Sequence, residues 1–456
     1  MAINVVILAA GQGKRMNSDL PKVLHRLAGV PLLRHVVTAA KTLKPTRICV
    51  VYGHGGDQVP RAMQSDGLIY VRQKQQLGTG HAVKQTLPYL DPRADTLILY
   101  GDVPLIAPAT LKKLVAGTGE RLALLTAGFD NPTGYGRILR NGRGAVTAIV
   151  EEKDASPEQR RIREGNTGLM FLPTKRLSTW LARLSNRNAQ GEYYLTDIVA
   201  LALQDKVRIK TIAPTALWEI AGVNNQRQLA ELERAYQREA ANRLLDSGVN
   251  LADPGRFDLR GQLRCERDVR IDVNCVFEGQ VRLAAGVEIG ANCVIRNTVI
   301  GAGTRIAPFS MIDEAKIGAR CIVGPFARIR PATTLADEVH IGNFVEVKAS
   351  TIGKGSKANH LTYLGDSQVG RNVNVGAGTI TCNYDGANKH RTVIEDDVFI
   401  GSATQLIAPV TVRRGATIGA GSTITKEAPA NQLTMSRSRQ LSITNWKRPR
   451  KAVKGR

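Results

Sequence analysis

A six-residue apolar period in the second half of the chain limits its fold more than any other feature. Ile271, Phe277, Leu283, Ile289 and Ile295 stand six apart. The series restarts at Ile300, Ile306 and Ile312, then again at Ile317, Val323, Ile329, Leu335, Ile341 and Val347. A last run takes in Ile394, Ile400, Leu406, Val412, Ile418 and Ile424. Many repeats open on an Ile-Gly pair, as in "IGANCV", "IGAGTR" and "IGNFVE". This period fits neither an amphipathic helix nor a simple alternating strand. It marks a parallel β-helix, where three hexads make one triangular coil and aliphatic side chains stack up the interior. Two stretches break the pattern, "KANHLTYLGDSQ" from Lys357 and "CNYDGANKHR" from Cys382. Loops that interrupt a solenoid should project from it and collect functional residues.

The first half, to about residue 225, follows another rule. "RICVVYG", "TLILYGD" and "LALLTAG" read as buried strands, and "PLLRHVVTAAKTL" and "TLKKLVAG" as helices between them. That alternation predicts a mostly parallel sheet with helices on both faces and ligands beyond the carboxyl ends of the strands. At such ends lie "LAAGQGKRM" and "YGDVP". Gly11 and Gly13 let backbone N–H groups close on a ligand, and Lys14 and Arg15 suit phosphate. The spacing matches neither the P-loop nor the dinucleotide fingerprint, so a plain strand-to-helix turn reads equally well from this loop alone. "NNQRQLAELERAYQREAANRLLDSGV" then reads as one long linking helix, with Leu229, Leu232, Tyr236 and Ala240 on one face.

At 456 residues the length prior is about three domains. No apolar stretch approaches the ~20 residues that span a bilayer, and "MAINVVILAAG" lacks the basic start of a signal peptide. Six cysteines without a C-x-x-C pair argue against a zinc site or a disulfide framework and suit a reducing cytosol. The net charge of +24 favours anionic partners. Its most basic stretch, "KRPRKAVKGR", reads as a solvated, disordered tail. No aromatic-laced basic block marks a nucleic-acid reader.

In chain order, "LAAGQGKRM", "LPKVL", "QLGTGHA", "YGDVPL", "PTGYGRI", "EGNTG", "GEYYLTD" and "GVNN" precede "ARIRP", "NFVEVK", "NHLTYLGD", "VNVGAGTITCNYDG" and "IGSATQL". This series resembles the bifunctional bacterial enzymes that make UDP-N-acetylglucosamine. In those, an N-acetylglucosamine-1-phosphate uridylyltransferase is joined to a glucosamine-1-phosphate N-acetyltransferase. The resemblance covers all but the basic tail. It implies an α/β, Rossmann-like nucleotidyltransferase domain over 1–226 and a helical linker over 227–247. A left-handed parallel β-helix of hexapeptide repeats would follow over 248–456. It further implies a cytoplasmic homotrimer whose neighbouring subunits complete each acetyltransferase site, acting on small molecules, with no specific nucleic acid and no membrane span.

The same resemblance implies UTP and acetyl-CoA as co-substrates and Mg2+ as cofactor. Leu8, Ala9, Ala10 and Gly11 would meet uridine, Arg15 the departing pyrophosphate and Lys22 the phosphates. Gln73, Gly78 and Thr79 would read uracil, with Tyr100 and Gly101 in the same site. Asp102 and Asn224 would hold Mg2+, and Gly136, Glu151 and Asn166 would meet the sugar. Acetyl transfer needs a base near neutrality, which points to histidine. The residues alone leave His360 and His390 open; the resemblance selects His360. Arg330 and Lys348 would meet the sugar phosphate, and Glu346, Tyr363 and Asn374 the sugar. Ala377, Asn383, Tyr384, Ser402, Ala420 and Arg437 would flank acetyl-CoA, with Cys382 lining the pocket rather than acting as a nucleophile. Asn383 is also placed to hold the sugar's hydroxyls or amine, and a backbone N–H near Tyr384 to meet the oxyanion. Two other readings are a nucleotidyltransferase for another sugar or base, and one whose β-helix is only structural or regulatory. The "NHLTYLGD" and "CNYDG" pair speaks against the first, and intact Arg15, Lys22 and Asp102 against an inactive assembly module.

Overall fold

Six of the first half's strands run parallel and a seventh runs against them. In order across the sheet they are Arg208–Ile212, Arg121–Gly128, Glu164–Pro173, Asp95–Tyr100, Ile3–Leu8, Arg47–Tyr52 and Leu68–Arg72, with Glu164–Pro173 the reversed one. A hairpin of Gly136–Arg140 and Val146–Val150 pairs with its amino-terminal part. Ile3–Leu8 is buried at every position because helices cover both faces of the sheet. Alternation sends Val5 and Ile7 into a core with Val36 and Leu111, and Val6 and Leu8 into another with Val83 and Trp180. The carboxyl ends at Leu8, Tyr52, Arg72 and Tyr100 therefore share one edge, and the loops leaving them build the site.

The computed structural model describes residues 2–64, 67–116 and 121–449. It forms two compact units, Met1–Gln237 and Arg238–Arg456, where length alone suggested about three domains. The division falls inside the helix Gln226–Asp246. Leu229, Leu232 and Tyr236 pack with Met16, Leu27 and Val223, whereas Ala240 and Ala241 join the core of the second unit. The apolar face is thus shared out between two cores rather than carried by a free arm. Most of the basic tail lies outside the described residues. No helix among the described residues is long and apolar enough to cross a membrane.

The second unit is a parallel solenoid whose hexads become columns. Ile271, Ile289, Ile306, Val323, Ile341, Ala358, Val375, Ile400 and Ile418 pair in register along one face. Phe277, Ile295, Ile312, Ile329, Val347 and Leu364 form a second column, and Leu283, Ile300, Ile317, Leu335, Ile352 and Val369 a third. Each coil rises by about one inter-strand spacing, ~4.8 Å, so successive aliphatic groups touch and exclude water.

One of the two expected interruptions is absent. Lys357–His360 and Tyr363–Gly365 are rungs of a regular coil, with Ala358 and Leu364 in the interior columns. The pattern looked broken because Ala358 fills a position usually held by a larger aliphatic. The second interruption is real. From Val375 to Ile400 the coil takes 25 residues, against 17 from Ala358 to Val375, and Tyr384 and Lys389 bridge within the extra loop.

Candidate active sites

In the first unit the strand ends border a cavity of about 470 Å³ lined by Leu8, Ala9, Ala10, Gly11, Lys22, Gln73, Gly78, Thr79, Tyr100 and Asp102. An adjoining cavity of about 440 Å³ shares Thr79, Tyr100 and Asp102 and adds Arg15, Gly136, Glu151, Asn166 and Asn224. Residues spread over two hundred positions thus meet around Asp102. The Lys22 ammonium ion-pairs with Asp102 and donates to the Asn224 Oδ1 at 3.2 Å. A cation accordingly already sits between the two oxygens expected to hold Mg2+. Hard oxygens suit that ion. No group of three His, Cys, Asp or Glu side chains among the described residues could hold a metal, so an ion here would depend on substrate oxygens as well.

Gly78 clamps the loop that carries Gln73 and Thr79. Its φ is +106°, and a Cβ there would lie 2.7 Å from the Tyr193 carbonyl oxygen and 2.8 Å from its nitrogen. The Gly80 N–H donates to the Tyr193 carbonyl at 2.8 Å, and the Tyr193 N–H to Leu77 at 2.9 Å. In the adjoining cavity, burial pushes the Glu151 carboxyl up, although the Thr196 hydroxyl donates to it at 2.9 Å. Burial and the Asp102 charge likewise raise the Tyr135 phenol.

Gly101 lies beside Tyr100 and Asp102 but lines neither cavity. A Cβ at Gly101 would press on Ala9, Val23 and Leu33, so this residue allows close packing behind the site. Glu192, which lines both cavities, and Gln76 and Tyr135, which line one each, were missed. Glu192 and Tyr135 sit within "GEYYLTD" and "PTGYGRI", so those motifs were the available signal.

In the solenoid, Asn343, His360, Ala377, Ser402 and Ala420 occupy equivalent corner positions on successive coils. Asn343 pairs with His360. The backbone N–H of Leu361 donates to Asn343, that of Ala403 to Ala377 and that of Gly421 to Ser402, at 2.7–3.1 Å. Arg437 closes the row by donating to the Ala420 carbonyl at 3.0 Å. The His360 Nδ1 lies 2.9 Å from the Asn343 Oδ1. An amide oxygen only accepts, so Nδ1 carries a proton, and in the neutral ring the lone pair is on Nε2.

Around the same corner, Glu346 and Tyr363 are register neighbours, and the Arg330 guanidinium donates to Glu346 at 2.7 Å. The Lys348 ammonium donates to Asp366 at 3.0 Å, and the Asn383 amide bonds to the same carboxylate. Lys389 was missed. Its ammonium neighbours that of Lys348, and this like-charged neighbour lowers the Lys389 pKa. Asn374 lies on the His360 face, paired with Lys357.

Tyr384 stands on the projecting loop, 61% exposed, and its phenol donates to Gly386 at 2.6 Å. His390 is engaged within that loop, with its Nε2 2.7 Å from Asp385. Burial pushes the Cys382 thiol up, which works against a thiolate nucleophile.

A model described as the MobA-like NTP transferase domain matches residues 5–193. The GMPPB C-terminal domain matches residues 259–352, and the bacterial transferase hexapeptide model, with six repeats, matches residues 391–426. The chain is 62% identical over 454 residues to the bifunctional protein GlmU of Aromatoleum aromaticum (strain DSM 19018 / LMG 30748 / EbN1), covering 99% of this chain and 100% of that one. It is 61% identical over 453 residues to the bifunctional protein GlmU of Janthinobacterium sp. (strain Marseille), again covering 99% and 100%. A sheet unit and a hexapeptide solenoid, in this order and at this identity from end to end, make the chain a member of the family of bifunctional GlmU proteins.

Proposed function

We infer that the chain is a two-reaction transferase. It acetylates glucosamine-1-phosphate with acetyl-CoA and transfers UMP from UTP to N-acetylglucosamine-1-phosphate, giving UDP-N-acetylglucosamine and pyrophosphate. The observation that carries this reading is end-to-end kinship with bifunctional proteins on a chain that holds a paired cavity in one unit and a histidine row in the other. We assign uridylyl transfer to 1–226, a helical connection to 227–247 and acetyl transfer to 248–456.

For uridylyl transfer the larger cavity takes the nucleotide and the adjoining one the sugar phosphate. A phosphate oxygen of the sugar attacks the α-phosphorus while its bond to the β-phosphate breaks. Such chemistry asks the protein for alignment and charge neutralisation. Lys22 and Arg15 supply fixed cations to the phosphates, and the 8–11 backbone supplies N–H groups. Gln73, Gly78 and Thr79 read the base, while Gly136, Glu151 and Asn166 hold the sugar. Asp102 and Asn224 would hold Mg2+, which when bound offsets phosphate charge.

For acetyl transfer the sugar's amine attacks the thioester carbonyl, a C–N bond forms, and the C–S bond to CoA breaks. The His360 Nε2 removes the amine proton, while Asn343 holds the ring through Nδ1. Arg330, Lys348 and Lys389 offer charge to the sugar phosphate. Glu346, Tyr363 and Asn374 hold the sugar. The row Ala377, Ser402, Ala420 and Arg437 accompanies the CoA arm, with Asn383 and Tyr384 near the acetyl group.

A homotrimer is supported by stacked, half-exposed Phe309, Phe326 and Phe344, with ring centroids 5.0 and 5.2 Å apart. Such an apolar ridge calls for cover. A cytoplasmic location is supported by six free thiols.

The test follows CoA release and pyrophosphate release on purified protein, with its mass in solution recorded against 49.4 kDa per chain. Asp102→Asn should lower pyrophosphate release by about 100-fold or more and spare CoA release. His360→Ala should lower CoA release by about 100-fold or more and spare pyrophosphate release. Wild-type protein that releases pyrophosphate but never CoA would leave the solenoid a scaffold.

A further inference from the structure

Gln73 is 3% exposed, and its amide is held from behind. Its Nε2 donates to the Gly78 carbonyl oxygen at 3.1 Å and lies 3.1 Å from the His81 Nδ1. A carbonyl only accepts, so the nitrogen end is the end that points backward. Gln73 also lines the larger cavity, so the end left to face a bound base is Oε1, an acceptor. Uracil offers an N–H at N3, where cytosine offers a lone pair. An amide oxygen in this position therefore favours uracil and repels cytosine.

The Gly78 carbonyl favours that choice at any pH, and the state of His81 adds to it or opposes it. Its Nδ1 can receive the second Gln73 N–H only while unprotonated. Its Nε2 lies 3.2 Å from the Gln85 Nε2, which also donates to the His81 carbonyl at 3.3 Å. Both ring nitrogens lie near amide nitrogens, and the Gln75 backbone carbonyl also accepts from the ring. With Nδ1 accepting, the neutral ring keeps its one N–H on Nε2, and an imidazolium would add a second N–H facing the Gln73 amide. Behind the ring is a cavity of about 240 Å³ lined by Leu77, Gly80, Lys84, Leu184 and Tyr193. The charged or titratable groups there are Lys84 on the same helix and Tyr193 opposite, and none of these lining residues is acidic. Burial, and then the Lys84 charge, lower the His81 pKa in keeping with that surrounding. Gln85 is only partly buried and can turn its amide out toward solvent, whereas buried Gln73 can only exchange the two ends of its amide in place.

We propose that His81 is a positioning residue for nucleotide selection: as the neutral ring, with Nδ1 accepting, it locks the Gln73 amide so that its oxygen faces the base and the enzyme takes UTP rather than CTP. Protonation would set the His81 N–H against the Gln73 amide nitrogen and draw the amide oxygen toward the ring, at the expense of the bond to the Gly78 carbonyl; the amide would then present a donor, which fits cytosine N3. The proposal rests on Gln73 reading the base, and the experiment separates the two.

The measurement is the ratio of kcat/KM for UTP to that for CTP across about pH 5.5 to 8.5. The triphosphate groups titrate alike and cancel in the ratio, while protonation of cytosine N3 in acid and loss of the uracil N3 proton in alkali act on every variant alike and are divided out through the His81→Asn ratio. In the wild type the ratio should fall by about tenfold toward low pH, the worth of one net hydrogen bond. His81→Phe fills the same space without an acceptor and should show the lowered ratio at every pH. His81→Asn places an amide oxygen near the former Nδ1 and should keep the high ratio with no pH dependence beyond that of the bases. A wild-type ratio flat with pH against the His81→Asn reference, or a His81→Phe ratio equal to that of wild type, overturns the proposal. Gln73→Ala tests the underlying reading: if it leaves the ratio untouched, Gln73 does not read the base. If it collapses the ratio while His81→Phe does not, only the role of His81 fails.

Discussion

Glu151 joins a proposed binding role to a pH-dependent effect on stability. Burial raises its folded-state pKa above the ordinary value of 4.5, so the folded chain holds the proton more tightly than the unfolded one. Its contribution to stability is complete below pH 4.5 and is lost as pH rises through the raised folded value. Glu151→Gln keeps an oxygen for the Thr196 hydroxyl and removes the charge. Calorimetry should find it melting about 2 °C above wild type near pH 8, with the gap closing toward acid. The same variant should raise KM for N-acetylglucosamine-1-phosphate. A lower melting point near pH 8 would show the charge to be stabilising instead. Among the proposed site residues, Lys22, Asp102 and Asn224 could be singled out in sequence only through their motifs. Their mutual contact joins positions 22, 102 and 224 and is invisible to local periodicity.

At the scale of elements, the loop around Gly78 is held by backbone rather than by side chains. Gly78 combines a left-handed φ with a Cβ position that falls on the Tyr193 main chain. Gly78→Ala therefore cannot be absorbed by turning a side chain. It should reduce uridylyl transfer by at least about 100-fold, mostly through KM for UTP, and leave acetyl transfer near wild type. An unchanged KM for UTP would sink this account of the loop. The helix Gln226–Asp246 makes a related point. Its amphipathic face was legible in sequence, but not that Leu232 and Ala240 serve different cores.

Over the whole molecule, two units with separate cores imply two separable losses on heating. Val347 is fully buried between Ile329 and Leu364 in one interior column. Val347→Ala should cost the solenoid on the order of 2 kcal/mol and shorten the heat half-life of acetyl transfer. The half-life of uridylyl transfer should stay as in wild type; equal loss of both would mean that the units unfold as one.

The sequence by itself determined the solenoid, because one aliphatic residue per flat side recurs at a fixed spacing along the chain. It also determined the layered sheet unit, since strands covered on both faces must be apolar throughout. Only the tertiary structure decided where the coils truly break. Lys357–Gln368 stays in register because Ala358 still faces inward, which hexad counting by size alone could not see. Stacking likewise decided that Asn343, His360, Ala377, Ser402 and Ala420 form one row, through hydrogen bonds between coils 17 to 25 residues apart. The backward pull of Gly78 and His81 on the Gln73 amide is of the same kind. Atom-to-atom direction arises only when the loop has closed, so no residue pattern could have contained it.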